Sequence, residues 1–243
     1  MENFSNPNFG HIDQFYPQLA TSLVRGLVQK MAESPDFENT NASNLPAYFT
    51  KPLIDLTPQE MQEIVSFGVE RRFEDLLLLQ KRELSEVEDK IFSVMRGIQP
   101  DNLFDVGGIE NSLLWQLAHE FRFLPIFSLA ADKSYTPLLL AMHQGGMGNL
   151  STKNFDNLET VLGQFANNHF DVALCSEYLY KAENWKSIAT HLCRMVKRFV
   201  IFVFPKKDPR FEEKALREFL KSQDIFQIRL EQTEDYFVFI GRK

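Results

Sequence analysis

The chain has 243 residues, a hydrophobic fraction of 44% and a charged fraction of 24%, which are ordinary values for a folded globular protein. Its net charge of −7 would repel a phosphate backbone, so we expect no nucleic-acid partner. No stretch approaches the roughly 18 consecutive apolar residues of a membrane span. The start, MENFSNPNFGHID, lacks the basic and apolar regions of a secretion signal. We therefore expect a cytoplasmic protein without a membrane partner.

Apolar spacing predicts that the first hundred residues are helical. Thr57 is a candidate N-cap, with Pro58 at the first helical position and Glu60 completing a capping box. The predicted helices cover residues 12–31, 57–79 and 84–96. We therefore expect residues 1–98 to form an all-helical N-terminal region, a cap or extension.

From residue 99 to 243, short apolar runs alternate with amphipathic helices, which is typical of a parallel α/β sheet. The predicted strands are 103–106, 125–130, a weak one at 149–153, 170–175, 199–204, 225–231 and 236–240. The predicted helices lie near 112–122, 135–143, 156–167, 185–197 and 210–222. The five residues EQTED between the last two strands are too few for a crossover helix, so these strands should form an antiparallel hairpin.

The segment NLFDVGGIEN at 102–111 places an acid and two glycines between the first of these strands and a helix. Glycines permit positive φ and let backbone amides approach a ligand closely. The N-terminus of the following helix favours an anionic group. Gly107 and Gly108 are therefore candidates for binding a carboxylate or phosphate.

The same segment resembles motif I of the class I S-adenosylmethionine-dependent methyltransferases, Asp/Glu-x-Gly-x-Gly-x-Gly. Asp105 and Gly107 fall on the acid and the first glycine, whereas Ile109 and Asn111 stand at the second and third glycines. The order of elements over residues 100–243 also resembles this family. The resemblance implies a Rossmann-like, seven-stranded, mostly parallel sheet and S-adenosylmethionine as cofactor, its methionine part over residues 105–108.

Acids follow two further predicted strands. An acid at the end of the second strand of a nucleotide-binding unit can accept hydrogen bonds from ribose hydroxyls, and Asp132 stands there. Asp132 also resembles the acid of the family's second motif, although a helix-capping role would explain it without a ligand. Asp156, after the third strand, is the candidate for contacting the adenine.

The segment FDVALCSEYLY begins with a Phe-Asp pair like that of the family's fourth strand. The resemblance places Ser176, Glu177 and Tyr178 at the cleft, beyond the far end of this strand. Glu177 would be the catalytic group, acting as a base or holding a cationic group of the substrate. A solvated loop position is the alternative for Glu177, and Asp171 at the near end is predicted to be structural.

Two functional hypotheses remain. The first is a methyltransferase that transfers a methyl group directly to a small-molecule acceptor. The second is a non-catalytic, methyltransferase-like binding or scaffold protein, which Ile109 favours because a β-branched residue fits positive φ poorly.

The histidines show no metal-ligand spacing, so we expect no metal. The lack of a P-loop or a complete GxGxxG disfavours other nucleotide-using enzymes. Cys175 and Cys193 lie in apolar stretches without a CxxC pair, which fits a reducing compartment.

Overall fold

The computed structural model describes residues 20–29, 45–70, 85–107, 113–130 and 148–243. The chain divides into two compact units. The first unit comprises residues 1–83, 118–122 and 134–150, and the second comprises 84–117, 123–133 and 151–243. Our division of the chain after residue 98 stays a prediction.

In the first unit, helix α1 covers residues 20–29 and helix α2 covers Pro58–Glu70. Short 3₁₀ turns lie at Ala47–Thr50 and Leu53–Asp55. The capping box of α2 is confirmed: the Glu60 N–H donates to Thr57 Oγ1 at 3.2 Å, and the Thr57 N–H donates to Glu60 Oε2 at 2.9 Å. Residues 12–19, 30–31 and 71–79 of the predicted helices lie outside the described residues.

The remaining elements follow the predicted alternation of strands and helices. The strands are β1 (Leu103–Val106), β2 (Ile126–Ala130), β3 (Leu150–Asn154), β4 (Phe170–Cys175), β5 (Val196–Pro205), β6 (Gln227–Gln232) and β7 (Tyr236–Arg242). The helices are α3 (Glu86–Ile98), α4 (Leu113–Glu120), α5 (Leu158–Gly163), α6 (Glu177–Lys181), α7 (Trp185–Met195) and α8 (Glu213–Ser222). The predicted helix near 135–143 lies outside the described residues.

These strands form a seven-stranded sheet in the order β3-β2-β1-β4-β5-β7-β6. Strand β1 pairs in parallel with β2 and β4, and β4 pairs in parallel with β5. Strand β7 pairs antiparallel with both β5 and β6. The predicted fold class, a mostly parallel seven-stranded sheet ending in an antiparallel hairpin, is confirmed.

Aromatic side chains fill much of the core on one face of the sheet. Phe104 packs against Phe170 with ring centroids 4.7 Å apart, and both rings are buried. Further along the sheet, Trp185 contacts Phe204 and Phe211 at 5.6 and 5.2 Å. Edge-to-face and tilted ring pairs of this kind add to the apolar burial that holds helices on a sheet.

Several boundaries differ from the predicted ones by a few residues, and two of them have a clear physical reason. Strand β5 begins at Val196, three residues before the predicted start, because Val196 pairs with Phe170 on β4 directly after helix α7 ends. Helix α3 extends past Gly97 to Ile98, and Gln99 ends it with a φ of 47°. Within the described ranges, no helix is long and apolar enough to cross a membrane.

Candidate functional site

The carboxyl ends of four adjacent strands bring several predicted site residues to one edge of the sheet. Val106 pairs with Cys175, so Gly107 and Ser176 follow paired positions on β1 and β4. The Gly107 N–H donates to the Leu129 carbonyl at 2.9 Å, and the Phe155 N–H donates to the Ala130 carbonyl at 3.2 Å. Neighbouring strands lie about 4.8 Å apart, so the ends of β3, β2, β1 and β4 form a continuous row.

Gly107 occupies a backbone conformation that requires glycine. Its φ is 75°, and an added Cβ would lie 2.8 Å from the Cβ of Tyr178. The conformational reason for a glycine at this position is therefore confirmed. The space beside Gly107 is filled by Tyr178, and its N–H is bound by β2. The N–H of Gly107 is therefore already engaged within the sheet, and Gly108 lies outside the described residues.

Asp105 is fully buried within the sheet. Its Oδ2 atom accepts a hydrogen bond of 2.7 Å from the hydroxyl of Ser128, the residue that faces it on β2. The carboxylate thus lies inside the sheet, two residues before Gly107, and is bonded to the neighbouring strand. Sequence reasoning missed Ser128, although one polar residue inside the apolar run IFSLA is itself a signal, because buried polar groups are hydrogen-bonded.

Ser176 and Glu177 begin the segment that follows β4. Ser176 is buried, and Glu177 lies exposed in the first turn of α6. The Glu177 carboxylate accepts a hydrogen bond of 2.7 Å from Lys181, one helical turn later. The carboxylate therefore faces solvent with a cationic partner, in a position that a cationic group of another molecule can reach.

Helix α6 connects the ends of distant strands through two tyrosines. The Tyr178 ring lies 5.6 Å from Phe155, which follows β3, and the Tyr180 ring lies 6.2 Å from Tyr236, which begins β7. Burial, followed by the nearby Glu177 carboxylate, raises the pKa of Tyr180 well above its usual value. Tyr180 therefore stays protonated at neutral pH. Sequence analysis named Tyr178 but not the five-residue helix, which is too short to show a period.

The remaining predicted residues are less closely placed. Asp156 is exposed and follows Phe155, at the β3 end of the row of strand ends. Asp132 lies outside the described residues, so its assignment to the ribose stays a prediction. The structure thus brings Gly107, Ser176 and Asp156 to one edge and places Asp105 beneath it.

Neither cysteine provides a nucleophile. Burial, followed by the nearby Asp105 carboxylate, raises the pKa of Cys175 well above its usual value. Burial also raises the pKa of Cys193 to about 12. Both thiols stay protonated at neutral pH, and only a thiolate is strongly nucleophilic. In the part of the chain that the structure describes, no cluster of three His, Cys, Asp or Glu residues could hold a metal ion.

Comparison with known proteins identifies the fold. No protein-family model matches the chain, and no curated protein matches its sequence. Among solved structures, it is similar to the N-terminal domain of EvdMO1, crystallised in the presence of SAH and D-fucose, with a TM-score of 0.51 and 14% identity over 66% of this chain and 84% of that one.

Two further solved structures are similar to the chain. One is a putative O-methyltransferase from Nostoc punctiforme, with a TM-score of 0.52 and 12% identity over 64% of this chain and 55% of that one. The other is the YcgJ protein from Bacillus subtilis, with a TM-score of 0.52 and 8% identity over 65% of this chain and 97% of that one. The chain thus spans about half of the Nostoc protein. At these identities the similarity establishes the methyltransferase fold alone.

Proposed function

We propose that this protein is an S-adenosylmethionine-dependent methyltransferase that acts on a small-molecule acceptor. The observation that carries the proposal is the glycine turn after β1, where Gly107 has a φ of 75° directly beyond the buried Asp105. In the order β3-β2-β1-β4-β5, the chain reverses its direction of winding between β1 and β4. Ligands of doubly wound sheets bind outside the carboxyl ends of the strands at such a point.

The proposed cofactor contacts follow the row of strand ends. The methionine part would lie over residues 105–108, with Asp132 on the ribose and Asp156 near the adenine. The described residues fit this role indirectly: the hydrogen bond from Ser128 orients Asp105, and Gly107 directs the chain into the turn. Ser176 would border the cofactor from the β4 side.

The reaction requires little chemistry from the chain itself. When bound, S-adenosylmethionine supplies a methyl group already activated by its sulfonium. The residues of the chain then have to align the acceptor and exclude water, which accounts for most of the rate. Glu177 would accept the proton of the acceptor, or hold a cationic acceptor group in exchange for Lys181. The net charge of −7 favours a small molecule over a nucleic acid as acceptor.

A second candidate function is a non-catalytic binding or scaffold protein with the same fold. One observation favours it: the space that Gly107 leaves open is filled by the chain's own Tyr178. The residue type Ile109, at the position of the second glycine, also favours a non-catalytic protein. A cytoplasmic location stays a prediction for either function.

Isothermal titration calorimetry of the whole chain with S-adenosylmethionine and with S-adenosylhomocysteine tests the proposal. We expect micromolar binding. The Asp132→Ala variant should weaken it by about 1.5–3 kcal/mol through the loss of a charge-assisted hydrogen bond. Glu218→Ala, at an exposed position on α8, is the control and should bind like the wild type. No heat at millimolar ligand would reject the cofactor and favour the scaffold, and unchanged affinity in Asp132→Ala would reject its role.

A further inference from the structure

A groove of about 840 Å³ lies between helix α3 and the last three strands of the sheet, within the second unit. Its volume falls in the range of ligand-binding cavities, about 300–1,000 Å³. Its lining includes Lys90, Val94 and Gly97 on the helix and Phe199, Ile240 and Arg242 on the sheet. None of these residues takes part in the proposed methyltransferase site.

The groove lies away from the carboxyl ends of the parallel strands. Phe199 is the fourth residue of β5, and it pairs with Arg242 at the end of the antiparallel strand β7. Both residues therefore lie toward the amino-terminal edge of the parallel strands. The residues proposed to bind the cofactor lie at the opposite edge, so the groove is a separate site.

One face of α3 forms a wall of the groove. Lys90, Val94 and Gly97 follow helical spacing and line it, while Ile91 and Met95 are buried elsewhere in the core. A Cβ added at Gly97 would meet no atom within 4 Å. The groove is therefore open beside Gly97.

Apolar side chains from both walls form part of the lining of the groove. Phe199 and Ile240 lie on the sheet, and Val94 and Ile98 lie on the helix. Such side chains favour a ligand with an apolar body, because covering them removes apolar surface from water.

The groove carries more positively charged than negatively charged side chains. Glu231 forms ion pairs with Lys90 at 3.5 Å and with Arg229, and Arg229 followed by Lys90 lowers the pKa of Glu231. Both Lys90 and Arg229 therefore have a carboxylate partner in Glu231. The Arg242 guanidinium lies 5.9 Å from the centre of the Phe199 ring, and within the described ranges no carboxylate is in ion-pair distance of it. With Asp89 as the second acid, the groove carries three cations and two anions on a chain of net charge −7.

We propose that this groove binds a small amphipathic carboxylate, an apolar chain or ring with one carboxyl head. The apolar body lies over Phe199 and Ile240, and the head accepts hydrogen bonds from Arg242. A guanidinium stacked on an aromatic ring presents a planar fork of donors that matches a carboxylate. Charge complementarity favours an anion, because among the described residues no carboxylate pairs with Arg242 and the groove has one more cation than anions.

Calorimetric titration with three probes that share one alkyl chain tests the proposal. Decanoate carries an anionic head, decanol a neutral head and decyltrimethylammonium a cationic head. We expect decanoate to bind the wild-type chain at least about ten-fold more tightly than decanol, since a charged hydrogen bond is worth that factor. Equal affinity for decanoate and decanol, or tighter binding of the cation, would overturn the proposal.

Three variants locate the binding. Arg242→Gln should weaken decanoate about ten-fold and leave decanol unchanged, whereas Gly97→Phe should fill the groove and weaken both probes. Lys197→Gln removes an exposed charge outside the groove and should bind decanoate like the wild type. Thermal melting curves verify that each variant is folded. Unchanged decanoate binding in both Arg242→Gln and Gly97→Phe would reject the groove, and this outcome is independent of S-adenosylhomocysteine binding, which these variants should keep.

Discussion

The two edges of the parallel sheet are stabilised in different ways. At the amino-terminal edge, the Asp171 carboxylate accepts hydrogen bonds from Arg198 at 2.9 Å and from the Asp101 N–H at 3.1 Å. The Asn102 side chain accepts a bond of 2.7 Å from the Asp171 N–H. At the carboxyl-terminal edge, Gly107 is held by the hydrogen bond from its N–H to the Leu129 carbonyl and by Tyr178, which fills the space beside it.

Two buried aspartates on adjacent strands show what this difference means. Asp171 on β4 has a charged partner, and its bonds link β4 with the start of β5 and with the segment before β1. Asp105 on β1 accepts a bond from the uncharged Ser128. The amino-terminal edge is therefore built for stability. At the carboxyl-terminal edge, a glycine with positive φ follows a buried carboxylate, and this is the edge where we propose that the cofactor binds.

The Gly107→Ala variant should have the largest effect on stability. Alanine at positive φ is strained, and its Cβ would overlap the Cβ of Tyr178, so the free energy of unfolding should fall by about 3–4 kcal/mol. Urea denaturation measures this change. Gly163→Ala is the control, because an added Cβ there meets nothing within 4 Å. If Gly107→Ala loses no more stability than Gly163→Ala, Tyr178 does not pack tightly against Gly107.

The Asp171→Ala variant should have the next largest effect. It removes the partner of Arg198 and leaves the Asp101 N–H without its acceptor, so we expect a loss of about 2–3 kcal/mol in the free energy of unfolding. Lys207→Gln breaks an ion pair whose side chains are 84% and 52% exposed, and should leave the free energy of unfolding nearly unchanged because solvent screens the pair. If both variants lose equally little in urea denaturation, the amino-terminal network does not stabilise the sheet.

The Ser128→Ala variant should have the smallest effect on stability and the most informative effect on binding. Losing one hydrogen bond to a buried carboxylate should cost about 1–2 kcal/mol in urea denaturation. Calorimetry should also show weaker binding of S-adenosylhomocysteine, because Ser128 holds the carboxylate of Asp105 directly before the proposed binding turn. The Asp171→Ala variant should keep wild-type affinity.

Ser151→Ala on β3, which loses a hydroxyl bond to the Ile126 carbonyl, is the matched control for Ser128→Ala. Equal effects of Ser128→Ala and Asp171→Ala on ligand affinity would contradict the division of roles between the two edges.

The sequence predicted those strands best whose apolar runs end abruptly. Strands β1 and β4 have the predicted bounds, because polar or glycine residues flank both runs. Strand β5 was predicted too short, since Lys197 and Arg198 continue the polar pattern of the preceding helix. In the structure Arg198 instead bonds to Asp171, a residue 27 positions earlier. A contact at that separation in the chain leaves no local periodicity.

The candidate site shows the same contrast between features that local sequence determines and features that depend on long-range contacts. The sequence by itself determined the order of elements, the antiparallel hairpin and the need for glycine at position 107, because these depend on local spacing and backbone sterics. Only the tertiary structure decided that Ser128 orients Asp105, that Tyr178 fills the space beside Gly107, and that α3 and the hairpin enclose a groove. Each of these depends on the register of paired strands or on packing between segments that are distant in the chain, and the sequence pattern of one segment carries no information on either.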